Sequence, residues 1–533
     1  MWISVWMASG WAMPGLGPCV PDRRFASYYY RPPSIGSIVS DRYPIRVHWN
    51  RAEDEVKAPL YLEAAETSWQ VQVDEMGFRP PALPDSYDGP ELDMYLAGSP
   101  HVSSGAAWVD GESWPYVDLV PGDGYNGVPA YAVFDQNLRE DWVPSYVAHE
   151  FAHVLQFGTD FSEWTTNVWE ASATAAQHWT FGTVVGEWDY DVYAYQESAF
   201  APSLVGDAYG FYYSYYLGGT FEYGAALWVM HLDEILGEGD GQKGVELWEA
   251  LAHEGFVGDT PDVLDAVVEV SGLDSLGAFM NSLAKTRWLT GLRWDERGLE
   301  AAQDWTFWEQ VDSVRVTLDD LPTEHRFDPG LMTHGQGFVL LDVRDTAETL
   351  LQVEFESDSG LQSALIAMGE AASKPAGEWD SVGERARLSI PIEGLDQVVI
   401  VATNMGPEGF DDRDYAYDPS DHVLKLYTGE AITGTTATGT TATGTTTTAT
   451  GTTTTATGTT TTGTTGGTAD TTPTTSEEGT TTGTSEGPGE GLLDSGKGEA
   501  EQDCGCSATS PSPWGLGWGL GLWLLVRRRP SSG

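Results

Sequence analysis

Residues 147–158 read VAHEFAHVLQFG and contain the pattern HExxH. On an α-helix, positions i and i+4 lie on one face, so His149 and His153 can direct imidazole nitrogens to a single Zn²⁺. Glu150 then lies beside the metal, where it can accept a proton from a zinc-bound water. The alternative is a core helix whose histidines only form hydrogen bonds. A carboxylate between them is costly to bury without a metal or a proton, which favours the zinc site.

The residues around this motif predict a helix. Pro144 suits a first helical turn, where its missing N–H needs no partner, and Gly158 suits the position just past the end. Apolar residues recur between them at the three- and four-residue intervals of a packed helix: Val147, Phe151, Val154, Leu155 and Phe157. We therefore expect both histidines on a largely buried helix.

A downstream segment, NVWEASATAAQHW (167–179), supplies the best candidate for a third ligand. Its alanine-rich composition, with Asn167 as an N-cap, predicts a second helix that can fold back antiparallel and bring Glu170 to the metal. Three protein ligands would leave the fourth position for water, as a hydrolytic site requires. In the alternative, Asn167 and Glu170 form a capping box and Glu170 bonds only to the helix start. Three other nearby candidates match known zinc spacings less well: Asp160, Glu163 and His178.

The segments HEFAHVLQFG and WEASAT together resemble the gluzincin metallopeptidases, and most closely the secreted metalloproteases of myxobacteria and related bacteria. Two upstream segments, DMYLAG (93–98) and AYAVFDQNL (130–138), resemble the strands that precede the zinc helix in that family. The resemblance covers roughly residues 42–300, and the zinc motif is its specific part. One departure is Ala171, where many gluzincins have glycine, and it exchanges one small residue for another.

Carried over residue by residue, the resemblance implies three zinc ligands and a catalytic base: His149, His153 and Glu170, with Glu150 as the base. A neutral donor should also stabilise the oxyanion of the reaction. Tyr223 and His231 follow Glu170 on a predicted helix and are the candidates for that role.

The composition restricts the partners of the chain. Its formal net charge is −54, from 80 acidic and 26 basic residues, and such an excess repels nucleic-acid phosphates. The sequence therefore predicts no nucleic-acid partner and favours a heavily solvated acidic surface. No acidic cluster has the calcium-loop spacing D-x-[DN]-x-[DN]-G, so calcium has no support beside zinc. The three cysteines are terminal, which leaves the body of the chain without disulfides: Cys19, Cys504 and Cys506.

The pattern of the chain predicts two folded domains. Residues 31–305 have the mixed strands and helices of an α+β zincin-like catalytic domain, with helices over 59–76, 223–236 and 261–270. Beyond residue 310 the pattern changes to short alternating apolar segments separated by turn residues. This change predicts an all-β sandwich as an accessory domain over 310–430.

The sequence patterns at the two ends of the chain do not predict folded domains. Residues 1–30 contain an apolar stretch typical of a signal peptide without its basic start; an upstream start, an atypical signal or an unstructured N-terminus would also explain it. A lipoprotein signal at Cys19 is disfavoured by Pro18. Residues 431–503 are rich in Thr, Gly and Ala and predict a disordered linker, because they have little apolar surface to bury.

Residues 504–533 combine a Cys-Gly-Cys motif, the apolar run WGLGWGLGLWLLV and three arginines. The run is short for a membrane span, and this tail resembles the myxobacterial C-terminal sorting signal. The resemblance implies processing by a sorting protease and transfer to the outer envelope of a Gram-negative bacterium, with membrane contact only before processing. The alternative is a permanent C-terminal anchor.

These features together predict a secreted, surface-displayed zinc endopeptidase that acts on protein or peptide substrates. Two other functions stay open at this point. One is a non-enzymatic adhesion protein with a structural zinc, and the other is an exopeptidase or another zinc hydrolase. The presence of Glu150 favours an enzyme, because a purely structural zinc has no use for a base beside it.

Overall fold

The computed structural model describes residues 31–429 with these gaps: 83–88, 99–100, 103–104, 110–121, 162, 164, 183–186, 206–220, 253–260, 306–309, 345, 358–359, 372–373, 411–419 and 421. The predicted signal peptide, threonine-rich linker and sorting tail lie outside the described residues. All of the described residues belong to one compact unit. Among them, no helix has both the length and the apolar character that a membrane span needs.

A mixed five-stranded sheet opens the fold. Its strands are β1 (Gly36–Val39), β2 (Ile45–Trp49), β3 (Leu92–Ala97), β4 (Gly105–Val109) and β5 (Ala130–Asp135). The spatial order is β1-β2-β3-β5-β4, with β2, β3 and β5 parallel and the two edge strands antiparallel to their neighbours. Strand β3 is buried along its whole length, as is usual for a parallel strand covered on both faces.

Helices cover this sheet and then pack on one another. They are α1 (Ala58–Ser68), α2 (Val143–Thr159), α3 (Thr166–Phe181), α4 (Glu187–Glu197), α5 (Phe221–Gly224), α6 (Ala226–Met230), α7 (Gln242–Leu251), α8 (Val263–Ser271) and α9 (Leu276–Trp288). Helix α1 continues into a π-helical turn at Trp69–Glu75, and α6 into another at His231–Ile235. Short 3₁₀ turns occur at Ala52–Asp54, Gly291–Arg293, Glu300–Ala302 and Leu318–Asp320.

A β-rich region follows the helices. Its strands are β6 (Val314–Thr317), β7 (Thr323–Arg326), β8 (Gln336–Asp342), β9 (Leu350–Glu356), β10 (Leu361–Ala371), β11 (Lys374–Gly383), β12 (Arg385–Pro391), β13 (Gln397–Pro407) and β14 (Val423–Thr428). They form two sheets, ordered β11-β10-β13-β8-β6 and β12-β9-β14-β7. One apolar core contains side chains from both sheets, so the sheets pack face to face. The expected α+β region followed by a β-rich region is confirmed.

The larger of these two sheets is covered on its second face as well. Side chains of β8, β10 and β13 form a further apolar cluster with α9, including Phe338, Ile366 and Val401 beside Ala284 and Trp288. These central strands therefore read as continuous apolar runs, because both faces are buried. The smaller sheet instead shows the alternation of a sheet covered on one face, as in β12.

Arg287 of α9 is fully buried where the helical and β-rich regions meet. Its guanidinium donates to Gln196 Oε1 at 3.0 Å, Ser203 Oγ at 3.0 Å and Gln336 Oε1 at 3.4 Å. It also donates to the carbonyl oxygen of Tyr195 at 2.5 Å and lies over the Tyr195 ring. The acceptors come from both regions and are neutral, so hydrogen bonds rather than an ion pair hold this buried charge.

Candidate metal centre

Helix α2 presents His149 and His153 on one face, and α3 packs antiparallel to it and presents Glu170 opposite them. His149 Nε2 lies 3.1 Å from His153 Nε2 and 3.2 Å from Glu170 Oε2. His153 Nε2 lies 3.3 Å from the same carboxylate oxygen. All three side chains are buried. The structure thus brings the three predicted ligands together at one point.

The donor set fits a metal ion. Tetrahedral Zn²⁺ with bonds of about 2.0–2.1 Å holds its ligand atoms roughly 3.3 Å apart, close to the three distances found here. Two imidazole nitrogens and a carboxylate oxygen at such separations also need a positive charge among them, because their lone pairs otherwise repel. Among the described residues, His149, His153 and Glu170 form a buried group that can hold a metal ion.

The close approach of these side chains also shifts their pKa values. Burial alone disfavours charge on His153, but the charge and hydrogen bond of Glu170 outweigh it and raise the pKa of His153 to about 9. Burial opposes ionisation of Glu170 too, yet the two histidines lower the pKa of Glu170 to about 2. Without a metal, a proton thus supplies the positive charge at the centre, and a bound cation would replace it.

Glu150 lies beside this group and below the edge strand β4. Its side chain is 2% exposed, and burial raises the pKa of Glu150 to about 8. One backbone N–H, that of Ala107 on β4, interacts favourably with the carboxylate. Glu150 Oε2 has no hydrogen-bond partner among the described residues. The structure thus places a buried carboxyl with an unpartnered oxygen next to the three candidate ligands.

Gly105 of β4 makes room for Glu150. A β-carbon at position 105 would lie 2.6 Å from Glu150 Oε1 and 2.9 Å from Glu150 Cγ. Such distances are well inside van der Waals contact, so the carboxylate occupies space that any other residue at 105 would fill. No local sequence pattern marks Gly105, since its contact with Glu150 arises only when β4 packs on α2.

The other candidates have different positions. The ring of Tyr223, on α5, lies 5.6 Å from the ring of His149, so this predicted oxyanion donor borders the site. His231 is fully buried elsewhere, with Nδ1 at 2.8 Å from Thr286 Oγ1 and its ring against Phe279. The structure therefore brings Tyr223 to the site and does not bring His231 there.

The three other nearby candidate ligands lie away from the group formed by His149, His153 and Glu170. His178 lies 3.9 Å from Glu234 near the end of α3. Glu163 accepts a hydrogen bond from the Thr165 backbone N–H just before α3 begins. Asp160 follows the last residue of α2. None of these three belongs to the ligand group formed by the described residues.

The expected N-cap at Asn167 is wrong. Helix α3 begins at Thr166, and Asn167 is inside it, where its Oδ1 accepts a hydrogen bond from Trp228 Nε1 at 3.0 Å. Thr165 occupies the N-cap position without a side-chain cap. The capping-box alternative for Glu170 fails with it, because Glu170 points to the histidines instead. The buried indole of Trp228 explains why an asparagine stands within the first turn.

Comparisons with known proteins add little to this picture. No protein-family model matches the chain, and no curated protein matches it. The pre-peptidase C-terminal domain of a collagenase from Bacillus anthracis is 10% identical, with a TM-score of 0.16, over 22% of this chain and 94% of that one. CorA, a surface-associated copper-binding protein of Methylomicrobium album BG8, is 6% identical, with a TM-score of 0.17, over 22% of this chain and 100% of that one. At these scores the matches carry no argument about fold or function.

Proposed function

We propose that this chain is a zinc-dependent endopeptidase of the gluzincin type. The observation that carries the proposal is the convergence of His149, His153 and Glu170 on one point with the carboxyl of Glu150 directly beside it. Three protein ligands leave a coordination position open, which favours a catalytic over a structural site. A buried base would also have no purpose beside a metal that only supports the fold.

Different side chains of this protein have different roles in the proposed peptide hydrolysis. When bound, Zn²⁺ supplies Lewis acidity, which polarises a carbonyl and makes water nucleophilic near neutral pH. Glu150 accepts the proton of the attacking water on its unpartnered Oε2 and later passes it to the leaving amine. The hydroxyl of Tyr223, whose ring lies 5.6 Å from the ring of His149, is the candidate donor to the developing oxyanion.

A peptide is the substrate that best fits the surroundings of Glu150. Strand β4 is an edge of its sheet, and the Ala107 backbone N–H that interacts with Glu150 belongs to it. An extended peptide can pair with a strand at the edge of a sheet through main-chain hydrogen bonds and so come to lie beside a neighbouring base. Such pairing needs no free peptide terminus, which favours endopeptidase over exopeptidase action.

The location of the enzyme is proposed from the sequence alone. A signal peptide over residues 1–30 and a sorting tail over 504–533 would export the chain and display it on the outer envelope. The linker over 431–503 would then separate the folded part from the membrane. Detection of the mature C-terminus by mass spectrometry tests this proposal, because an intact tail on surface material would show an anchor instead.

Comparison of the full chain with its Glu150→Gln variant tests the proposed function. Glutamine keeps the shape of the side chain but cannot accept the proton, so we expect hydrolysis of a peptide library to fall by about a hundred- to ten-thousandfold. Zinc content, measured by elemental analysis, should stay at the wild-type level. A wild-type protein that binds zinc but cleaves no peptide would instead favour the adhesion protein with a structural metal.

A further inference from the structure

Gln156 joins the helix that carries the histidines to the helix that carries Glu170. It is buried one turn after His153 on α2, and its Oε1 lies 2.7 Å from His153 Nδ1. Its Nε2 donates to the carbonyl oxygen of Trp169 at 3.2 Å and to Ser172 Oγ at 2.9 Å. Trp169 and Ser172 lie on either side of Glu170 in α3. One amide therefore contacts a histidine ligand and the backbone that places the third ligand.

The carbonyl of Trp169 determines which way this amide faces. A carbonyl oxygen only accepts hydrogen bonds, so the amide nitrogen of Gln156 must point to Trp169 and the amide oxygen to His153. That oxygen accepts only, and His153 Nδ1 must therefore carry the ring proton. In the neutral ring, Nε2 of His153 is then left with its lone pair directed at His149 and Glu170. The protonation pattern that a metal ligand needs follows from a main-chain group on the neighbouring helix.

A second glutamine makes the reciprocal connection. Gln177 of α3 reaches back to α2, where its Nε2 donates to Ser145 Oγ. This bond joins the two helices one turn before His149.

We propose that Gln156 is a positioning residue that sets the ring orientation and tautomer of His153 for a divalent cation. Hydrogen-bond acceptors on the distal nitrogen of a histidine ligand fix its tautomer and raise metal affinity. An amide does this without adding charge to a centre that already buries Glu150 and Glu170. The inference rests on the proposed metal site but does not depend on peptide hydrolysis.

Gln156→Met in the full chain tests the proposal, with Gln72→Met as its matched control. Methionine keeps the length of the side chain but neither donates nor accepts a comparable hydrogen bond. Gln72 is equally buried and also bridges α2 and α3, donating to the Ala148 carbonyl at 3.0 Å and to Thr180 Oγ1 at 3.2 Å. It serves as a control because these contacts are to groups other than the two histidine ligands.

We expect Zn²⁺ affinity, measured by competition with a chromophoric chelator, to fall about ten- to a hundredfold in Gln156→Met and to be unchanged in Gln72→Met. Ser172→Ala should also bind normally, because the Trp169 carbonyl still orients the amide. In nuclear magnetic resonance spectra of the zinc-loaded protein, the slowly exchanging Nδ1–H of His153 should be lost in Gln156→Met and kept in Gln72→Met. General loosening of the helix pair would not produce this difference.

Two results would overturn the proposal. One is wild-type Zn²⁺ affinity in a Gln156→Met protein whose circular dichroism shows that it is folded. The other is an equal loss of affinity in the Gln72→Met control, which would make the effect a general loss of packing. If the wild-type chain itself binds no Zn²⁺, the proposed function fails as well, and the wild-type measurement separates that case from the other two.

Discussion

The helical and β-rich regions both bury histidines, but they surround them differently. In the helical region, His149 and His153 share one centre with the carboxylate of Glu170. In the β-rich region, His422 stacks on Phe355, with its Nδ1 2.8 Å from the Ser420 carbonyl oxygen, and His334 packs edge-on against Phe410. Burial of a polar ring is common to both regions. The difference shows that a candidate site depends on convergence of donor atoms, and not on burial alone.

The largest test of this comparison exchanges one histidine in each region. We expect His153→Ala to weaken Zn²⁺ binding by at least about a thousandfold, because each of three ligands supplies a large share of the coordination free energy. His422→Ala should leave Zn²⁺ affinity unchanged and lower the free energy of unfolding by about 1–3 kcal/mol through lost packing. Chelator competition and chemical denaturation measure the two quantities. Equal zinc affinities in the two variants would remove the distinction between the regions.

A second test uses pH. Burial lowers the pKa of His334 to about 4, and neither ring nitrogen has a hydrogen-bond partner among the described residues. The unfolded chain, with a His pKa near 6.5, binds the proton first as the pH falls. The stability contributed by neutral His334 is therefore complete above about pH 6.5 and is lost progressively down to about pH 4. The loss amounts to about 3 kcal/mol.

Chemical denaturation of the metal-free wild type and of His334→Asn, at pH 7.5 and at pH 4.5, measures this contribution to the free energy of unfolding. Asparagine does not titrate and tolerates the left-handed backbone at position 334, where φ is 61°. We expect the fall in unfolding free energy between the two pH values to be about 2–3 kcal/mol smaller in the variant. Other buried groups such as His231 titrate in both proteins and cancel. Parallel pH dependences in the two proteins would show that His334 does not contribute.

A third and smaller test compares two crowded glycines. Gly105 leaves room for Glu150 in the helical region, and Gly337 of β8 leaves room for the Phe327 ring, whose Cε1 a β-carbon would approach to 2.1 Å. We expect Gly105→Ala to reduce peptide turnover about ten- to a hundredfold at normal zinc content, since small displacements of a catalytic group are costly. Gly337→Ala should lower stability by about 1–3 kcal/mol and leave turnover of the folded protein unchanged. Assays well below the unfolding temperature keep these effects apart.

The sequence predicted the helices of the metal centre well. Pro144 lies in the first turn of α2 (Val143–Thr159) as expected, but the expectation that the helix ends before Gly158 is wrong, because Gly158 lies inside its last turn. A glycine fits there because a β-carbon would come within 3.2 Å of the Ala82 backbone nitrogen. The expected helix over 59–76 is present, although its second half winds as a π-helix. Periodic apolar residues identify such helices because one face of each is buried. A π-helical turn changes this apolar periodicity too little to be predicted from the sequence.

Three strands at sheet edges lack the apolar alternation that predicts a strand from the sequence: β1, β7 and β11. Strand β11 has the sequence KPAGEWDSVG, and β7 reads TEHR. An edge strand pairs on one side only and keeps much of its surface in water, so its sequence lacks the apolar alternation that marks a central strand. Main-chain pairing with a neighbour, which no local pattern records, creates these strands.

The ligands of the candidate metal centre could be predicted from the sequence, but most of the residues that contact and position them could not. Spacing within HExxH identifies His149 and His153, because it reflects one turn of a helix. The prediction of Glu170 depended on how two helices pack, and the short connection between them favoured the antiparallel arrangement. Gln156 lies one turn after His153, but its contact with α3 appears only when the two helices pack. Gly105 and Gln177 carry no local signal, since their contacts join elements distant in the sequence.

The buried guanidinium of Arg287 has a consequence for dissecting this chain. Composition changes near residue 305, and a protein engineer would place a truncation there. A fragment ending at that point would lose Gln336, one of the neutral groups that hold this charge, and the apolar cover that α9 receives from β8, β10 and β13. A charge without its acceptors is expensive to keep out of water. The helical region should therefore not be truncated at this point, and expression of this chain should begin from the two regions together.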